Sequence, residues 1–302
     1  MIPELILGSP VFQREREAIL AGKASHAYLI EGAAGAGKKS FALAAACVHF
    51  CTGEKKPCFS CPACRKVMEG NHPDVHLVSP DKNMFRVDQV RELLATAYES
   101  PYEGGDKIYI IDGFSLANDQ AQNALLKTLE EPPRAVSFFL LAENAQGLLP
   151  TIRSRCKKLR LTGFSDEAIR AQLNKRFPGH PALEEAVKSA GGNIGRAIRC
   201  LEDEEYRRLD ALAGELVGKL DTMDPAHLSA LMEKEKDALP LLWELMEQRL
   251  LTAMRSQPSP LSLTRLAAVQ DAMAAKNRNI NSGLILDELA YALVKGGKPW
   301  QR

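Results

Sequence analysis

No stretch of this chain is apolar for long enough to span a bilayer, which takes about 20 such residues. The opening Met1-Ile2-Pro3-Glu4 lacks the basic start of a secretion signal. Membrane insertion and export are therefore not expected, and a cytoplasmic protein is. An excess of charge of either sign is missing as well: 39 lysines and arginines stand against 38 aspartates and glutamates, a net charge of +1. No global field draws such a chain onto DNA or a membrane, so any contact with nucleic acid is local or shared with partners. Internal repeats and low-complexity segments are absent too. What remains, 302 residues that are 45% hydrophobic and 25% charged, is ordinary for a globular protein of about two or three domains.

A single missing hydroxyl is more informative. Gly32-Ala33-Ala34-Gly35-Ala36-Gly37-Lys38-Lys39-Ser40 follows the phosphate-loop pattern GxxxxGK[ST] up to its last position. A working loop wraps backbone N–H groups around phosphates, sends its lysine to the β and γ oxygens and puts a hydroxyl on Mg²⁺. Here Lys39 holds the hydroxyl position. Ser40 lies one residue further along the following helix, turned about 100° away, and cannot simply stand in. The apolar run Ala27 to Glu31 before the loop predicts a strand, and Ser40 to Phe50 after it predicts a helix, the order the motif needs. A Gly-rich turn without a ligand is the alternative reading.

Further along, His76 to Val78, Lys107 to Asp112, Val136 to Leu141 and Lys157 to Leu161 read as strands. They alternate with helices over Val87 to Tyr98, started by Asp88, and Ala117 to Glu131, stopped by Pro132-Pro133. Continuous apolar strands alternating with helices predict an α/β fold, a doubly wound parallel sheet of about five strands ending near Thr162. Beyond it strand signals vanish. Ser165 to Phe177, Ala182 to Ala190 and Arg196 to Glu204 read as a small helical unit, with Gly191-Gly192-Asn193 as a turn. Glu205 to Lys219, Pro225 to Arg255, Ser262 to Lys276 and Leu284 to Lys295 read as a further helical domain. The expected boundaries are 1–162, 163–206 and 207–302.

A second acid is missing where hydrolysis needs one. Nucleotide hydrolases of this build follow the metal-binding aspartate at the end of the third strand with a glutamate that polarises the attacking water. Asp112 is present, but Gly113 follows it. Two independent catalytic requirements thus fail together, and the site is expected not to hydrolyse. Phosphate binding rests on the backbone, Gly32, Gly35, Gly37 and Lys38, so binding of ATP or ADP can survive.

Of seven cysteines, four cluster: Cys51, Cys58, Cys61 and Cys64, with six, two and two residues between them. Such spacing supplies four thiolates to one tetrahedral Zn²⁺, with Gly53, Pro57 and Pro62 giving turns. A redox CxxC and buried thiols are the alternatives. Cys47, on the same helix face as Cys51, is a rival fourth ligand. Cys156 and Cys200 are isolated and read as small apolar residues.

The assembled residues resemble bacterial DNA polymerase III clamp loader subunits, and among them the delta-prime type. The resemblance covers about the first 200 positions. It is carried by His26-Ala27-Tyr28-Leu29, the four-cysteine insertion, Asn71-His72-Pro73-Asp74, the string Asn123 to Pro133, and Ser154-Arg155-Cys156. The final third matches only in helical character and in the run Asn277 to Leu289. The resemblance implies a AAA+ module with a zinc-binding insertion, a small helical lid, and an all-α collar that joins gamma/tau-like motor and delta-like subunits into a five-membered ring. That ring loads the sliding clamp onto primer-template DNA. In the family, motor subunits hydrolyse ATP, and the arginine of the Ser-Arg-Cys triplet reaches into a neighbour's site. Arg155 would be that finger, and Arg196 the lid arginine that senses nucleotide. Glu143 and Asn144 stand where motors place a polar sensor, and Glu143 is an odd fit there. By charge pattern alone, Arg153 to Arg160 reads as a solvated basic strand and Arg196 as an exposed helix charge.

The expected role is a stator that assists hydrolysis in trans. The rivals are an ATP-hydrolysing gamma/tau-like motor in which Ser40 or water rescues the metal, a branch-migration ATPase, and a zinc-dependent nucleic-acid-binding module. The last would use Lys55, Lys56, Arg65 and Lys66, with Phe50 and Phe59 as the available stacking partners.

Overall fold

The computed structural model describes residues 4–80, 85, 87–276 and 282–296. Residues 277–281 of the Asn277 to Leu289 run lie outside the described residues. The chain divides into two compact units, Met1–Gly179 with Gly192–Arg196, and His180–Gly191 with Ala197–Arg302.

The first unit opens with two helices that the sequence reading did not anticipate, α1 (Glu4–Leu7) and α2 (Pro10–Leu20). Ser9 caps α2 by accepting the N–H of Phe12, and Pro10 takes the first turn, where its missing N–H costs nothing. There follow β1 (Ala27–Glu31), α3 (Lys38–Phe50), α4 (Pro62–Glu69), β2 (Val75–Val78), α5 (Val87–Ala97) and β3 (Lys107–Ile111). A short turn of 3₁₀ helix (Phe114–Leu116) then leads into α6 (Asp119–Glu130), β4 (Val136–Ala142), α7 (Pro150–Arg155), β5 (Lys157–Arg160) and α8 (Asp166–Arg176).

All five strands are parallel, in the order β2-β3-β4-β1-β5. Leu29 of β1 faces Leu140 of β4 on one side and Lys158 of β5 on the other. Every residue of β3 and β4 is buried, which is why both read as unbroken apolar runs. Alternate strand residues feed two cores. Leu29, Tyr109, Phe138 and Leu140 meet Leu93, Leu125, Leu129 and Ile152 from α5, α6 and α7. Tyr28, Ile30, Ile110 and Leu141 meet Phe12, Phe41, Val48 and Val67 from α2, α3 and α4. Each fully buried side chain of this size contributes about 1.5–3 kcal/mol, so helices on both faces are required, as the alternating pattern predicted. Because all strands run parallel, the loops at the carboxyl ends of β1, β3 and β4 lie at one end of the sheet, and the connection from β4 to β5 passes β1.

The helix α5 begins at Val87 with Asp88 in its first turn, as expected of an acid that marks a helix start and suits the positive end of the dipole. One local expectation needs correction. Pro225 to Arg255 is not continuous: α12 (Pro225–Glu233) ends before the charged run 234–237, and α13 (Leu239–Ser256) restarts with Pro240 in its first turn.

The second unit contains α9 (Leu183–Ala190), most of α10 (Ile194–Glu202), α11 (Glu204–Gly218), α12, α13, α14 (Pro260–Lys276) and α15 (Ser282–Lys295), with no strand among its described residues. Trp243, Leu216, Leu228, Met246, Val269 and Leu289 form its interior. Asp210 pairs with Arg249 at 2.6 Å and Asp221 with Arg265 at 2.6 Å. The 163–206 segment, expected as a lid, is shared, with α8 in the first unit and α9 in the second. No helix among the described residues is long and apolar enough to cross a membrane.

The Asn71 to Asp74 motif has a structural role. Asp74 is wholly buried, and its carboxylate accepts the backbone N–H groups of Tyr102 at 2.6 Å and Glu103 at 2.8 Å. The His72 ring lies 4.1 Å from that of Phe50, and burial lowers its pKa. Asp74→Ala leaves two backbone donors without their acceptor and is expected to cost about 2–3 kcal/mol. Hydrogen exchange at Tyr102 and Glu103, with urea unfolding, checks this; unaltered protection of both amides would remove the anchoring role.

Candidate functional site

After Glu31 the chain turns through residues 32–37 into α3, so strand, loop and helix follow as the motif requires. Lys38 is buried, and its Nζ donates to the carbonyls of Gly32 at 2.7 Å and Ala33 at 2.9 Å. Burial lowers its pKa, while the carboxylates of Glu143, just past β4, and Asp112, just past β3, pull the other way. Asp112 and Glu143 are thus near enough for their charges to act on Lys38, which uses two of its three donors on its own loop. Lys39 is exposed and Ser40 half-buried, both in the first turn of α3.

Position 113 is committed by its backbone. Gly113 has φ of +73°, a left-handed conformation that side chains rarely adopt, and a Cβ there would lie 3.3 Å from Cγ of Pro80. A glutamate would be strained in this turn, which starts the 3₁₀ segment after β3. The missing acid is therefore built into the local fold.

The crest of the loop is held by a segment read from sequence only as a turn. Asn193 donates from Nδ2 to Ala34 O at 2.6 Å, and the N–H of Gly195 donates to Gly35 O at 3.1 Å. The Oδ1 of Asn193 also accepts the N–H of Arg196 at 3.1 Å, capping the start of α10. The approach is close enough that a Cβ on Gly195 would stand 2.6 Å from Gly35 Cα. Arg196 thus sits one residue from the loop contact. Asn193 was missed because nothing in the sequence links it to a loop about 160 residues earlier. Beside the loop lies a cavity of about 560 Å³, mostly apolar, lined by Ile6, Val11, Phe41, Leu161 and Phe164 among others. Helices α1 and α8 form its walls.

Arg155 is the last residue of α7. Its Nη2 lies 2.6 Å from Glu130 Oε1, its Nη1 donates to Thr151 O at 3.1 Å, and the side chain is 34% exposed. Cys156 beside it is buried, and burial pushes its thiol up to about 12. Of the other cations in this stretch, Lys157 pairs with Glu15 at 2.6 Å.

The four clustered cysteines meet. The sulfurs of Cys51, Cys58, Cys61 and Cys64 all lie within 4.8 Å of one another. Four thiolates at about 2.3 Å from one zinc would be about 3.8 Å apart, so a small contraction suffices. Backbone N–H groups already point at the sulfurs: those of Gly53 and Cys58 at Cys51 (3.4 and 3.3 Å), of Cys61 at Cys58 (3.3 Å) and of Cys64 at Cys61 (3.5 Å). Hydrogen bonds from Ser60, side chain first, and from the N–H of Cys61 pull the Cys58 thiol down to about 5, toward the thiolate that a metal needs. Cys47 is not in this group; its thiol is directed to Cys64 O at 3.8 Å, and burial pushes it up to about 12. Pro62 makes no turn here but opens α4, with Cys61 as its cap. The donor set fits zinc.

Comparison with known proteins gives these arrangements a family. A family profile described as DNA polymerase III, delta subunit, matches residues 9–165. The delta' subunit of Bacillus subtilis DNA polymerase III is 36% identical over 183 residues, 60% of this chain and 55% of that protein. The Escherichia coli delta' subunit is 30% identical over 239 residues, 78% of this chain and 72% of that protein. Tau and tau/gamma subunits also match, over 26–35% of their own length. A solved Thermotoga maritima protein related to the DNA polymerase III gamma subunit shares the fold, with a TM-score of 0.51 at 16% identity, covering 94% of this chain and 98% of that one. With the profile covering more than half its length, this chain belongs to the delta-prime subunit family of DNA polymerase III.

Proposed function

We propose that this chain is the stator of a bacterial clamp loader: it transfers no phosphoryl group itself and donates Arg155 to the site of a neighbouring gamma/tau-like motor. The observation that carries the reading is the state of its own site, where Lys38 and Asp112 are kept but Lys39 replaces the metal-binding hydroxyl and Gly113 the second acid. Glu143 beside Lys38 weakens it further. ATP or ADP, if bound, would be held by the loop from Gly32 to Lys38 with the 560 Å³ cavity beside it, and Arg196 would report its presence. Residues 163–206 and 207–302 act as lid and collar, and the complete ring, with delta-like and motor subunits in the cytoplasm, loads the sliding clamp onto primed DNA. The motor reading would need Ser40 to reach the metal from the next helical position and another acid to replace position 113.

A guanidinium supplied in trans stabilises charge developing on the transferred phosphoryl group and is worth about 10³–10⁵-fold in rate. Arg155→Ala is therefore expected to leave folding intact and to slow turnover about 10³-fold at the one motor site it serves. Steady-state ATP hydrolysis by the reconstituted loader with primed DNA measures this, and unchanged turnover at that site would rule out the finger.

Cys51, Cys58, Cys61 and Cys64 would hold a structural Zn²⁺, whose bonds fix the segment between α3 and α4. Elemental analysis is expected to find one zinc per chain and, in Cys61→Ser, well under one. Full retention by the variant would remove Cys61 from the ligand set.

A further inference from the structure

Helix α7, which carries Arg155, is fixed to α6 along its whole length. At its start the buried Gln122 of α6 donates from Nε2 to Ala117 O at 2.9 Å and accepts the N–H of Leu149 at 2.8 Å, tying down the residue before α7. In the middle, Ile152 is buried among Leu125 and Leu129. At its end, Arg155 meets Glu130, the last residue of α6. Glu130 belongs to the Asn123 to Pro133 string, a signature with no role assigned so far.

Stability gives no reason for an acid at position 130. A carboxylate on the last turn of a helix opposes the helix dipole, while a half-exposed ion pair returns little. What the pair does is orient a long side chain. A free arginine samples many rotamers, and fixing one in advance removes that entropy from the barrier of any step that needs it. The guanidinium has five N–H donors; Glu130 and Thr151 O engage two, and three remain for a phosphoryl group.

We propose that Glu130 is a positioning residue, holding the Arg155 guanidinium in the orientation in which it meets a nucleotide bound by the adjoining subunit. This rests on reading Arg155 as a finger supplied in trans. The test uses the reconstituted loader with primed DNA, its motor subunits carrying alanine in place of their own Ser-Arg-Cys arginine. The site served by this chain is then the one that turns over.

Glu130→Ala is expected to lower kcat about 10- to 100-fold with KM for ATP changed by less than about twofold. Glu130→Gln, which keeps an acceptor for the guanidinium, should recover most of the rate. The double variant with Arg155→Ala should be no slower than Arg155→Ala alone, since both remove one device. Gel filtration should show assembly of every variant unchanged. If Arg155→Ala is slow but Glu130→Ala keeps the parental kcat, or loses only in KM or in assembly, the positioning role is overturned and the finger stands. If Arg155→Ala is as fast as the parent, the finger reading fails, and the role of Glu130 fails with it.

Discussion

Gly195 lies so close to Gly35 that it tolerates no side chain, a Cβ on Gly35 would stand 2.7 Å from Asn193 Oδ1, and around this contact the phosphate loop takes its shape. Two hydrogen bonds from the 193–195 segment hold the carbonyls of Ala34 and Gly35, and Lys38 holds those of Gly32 and Ala33. A loop that serves nucleotide chemistry is ordered by the phosphates in its cradle. Here peptide contacts also hold it: the 193–195 segment at its crest, and Lys38, which uses two of its three donors on the loop. The strand β1, an interior strand between β4 and β5, fixes where the loop starts, and the burial of α3 fixes where it ends.

The same end of the sheet shows how a fold can keep its scaffold while the residues at its strand ends change. Asp112 and Glu143 are delivered by β3 and β4, whose buried registers leave no freedom in where the strands stop. Only side chains at the strand ends are free to change without disturbing the core. At Gly113 the change has reached the backbone, because a positive φ excludes the acid as effectively as its absence does. Both positions that metal binding and water activation would use are thus altered, while the helix α7 that would serve a neighbour's chemistry is tied to α6 by the buried Gln122 and by Ile152.

How much of this the sequence revealed follows from how local each feature is. Strands β1, β3 and β4 were legible because buried parallel strands are largely apolar runs, and Cys51 to Cys64 because metal spacing is a short-range pattern. The choice between Cys47 and Cys51 was not legible, since one helical turn separates them; the C-cap at Cys51 turns the chain toward Cys58, while the Cys47 thiol is directed to Cys64 O. Helices α1, α4 and α7 were missed because four to eight residues carry too little periodicity to outweigh the Pro and Gly around them, and α2 because its charged run Arg14 to Glu17 interrupts the apolar pattern. Asn193 and Glu130 were invisible for a different reason. Both act through contacts that only the folded chain creates, on Ala34 and on Arg155.

All of this turns on whether the loop at Gly32 to Lys38 can run its own reaction. The most direct measurement is steady-state hydrolysis of Mg-ATP by the purified chain alone, at saturating nucleotide. The account predicts no turnover above background. Turnover near about one per second, an ordinary enzymatic rate, would contradict it and make this chain a motor.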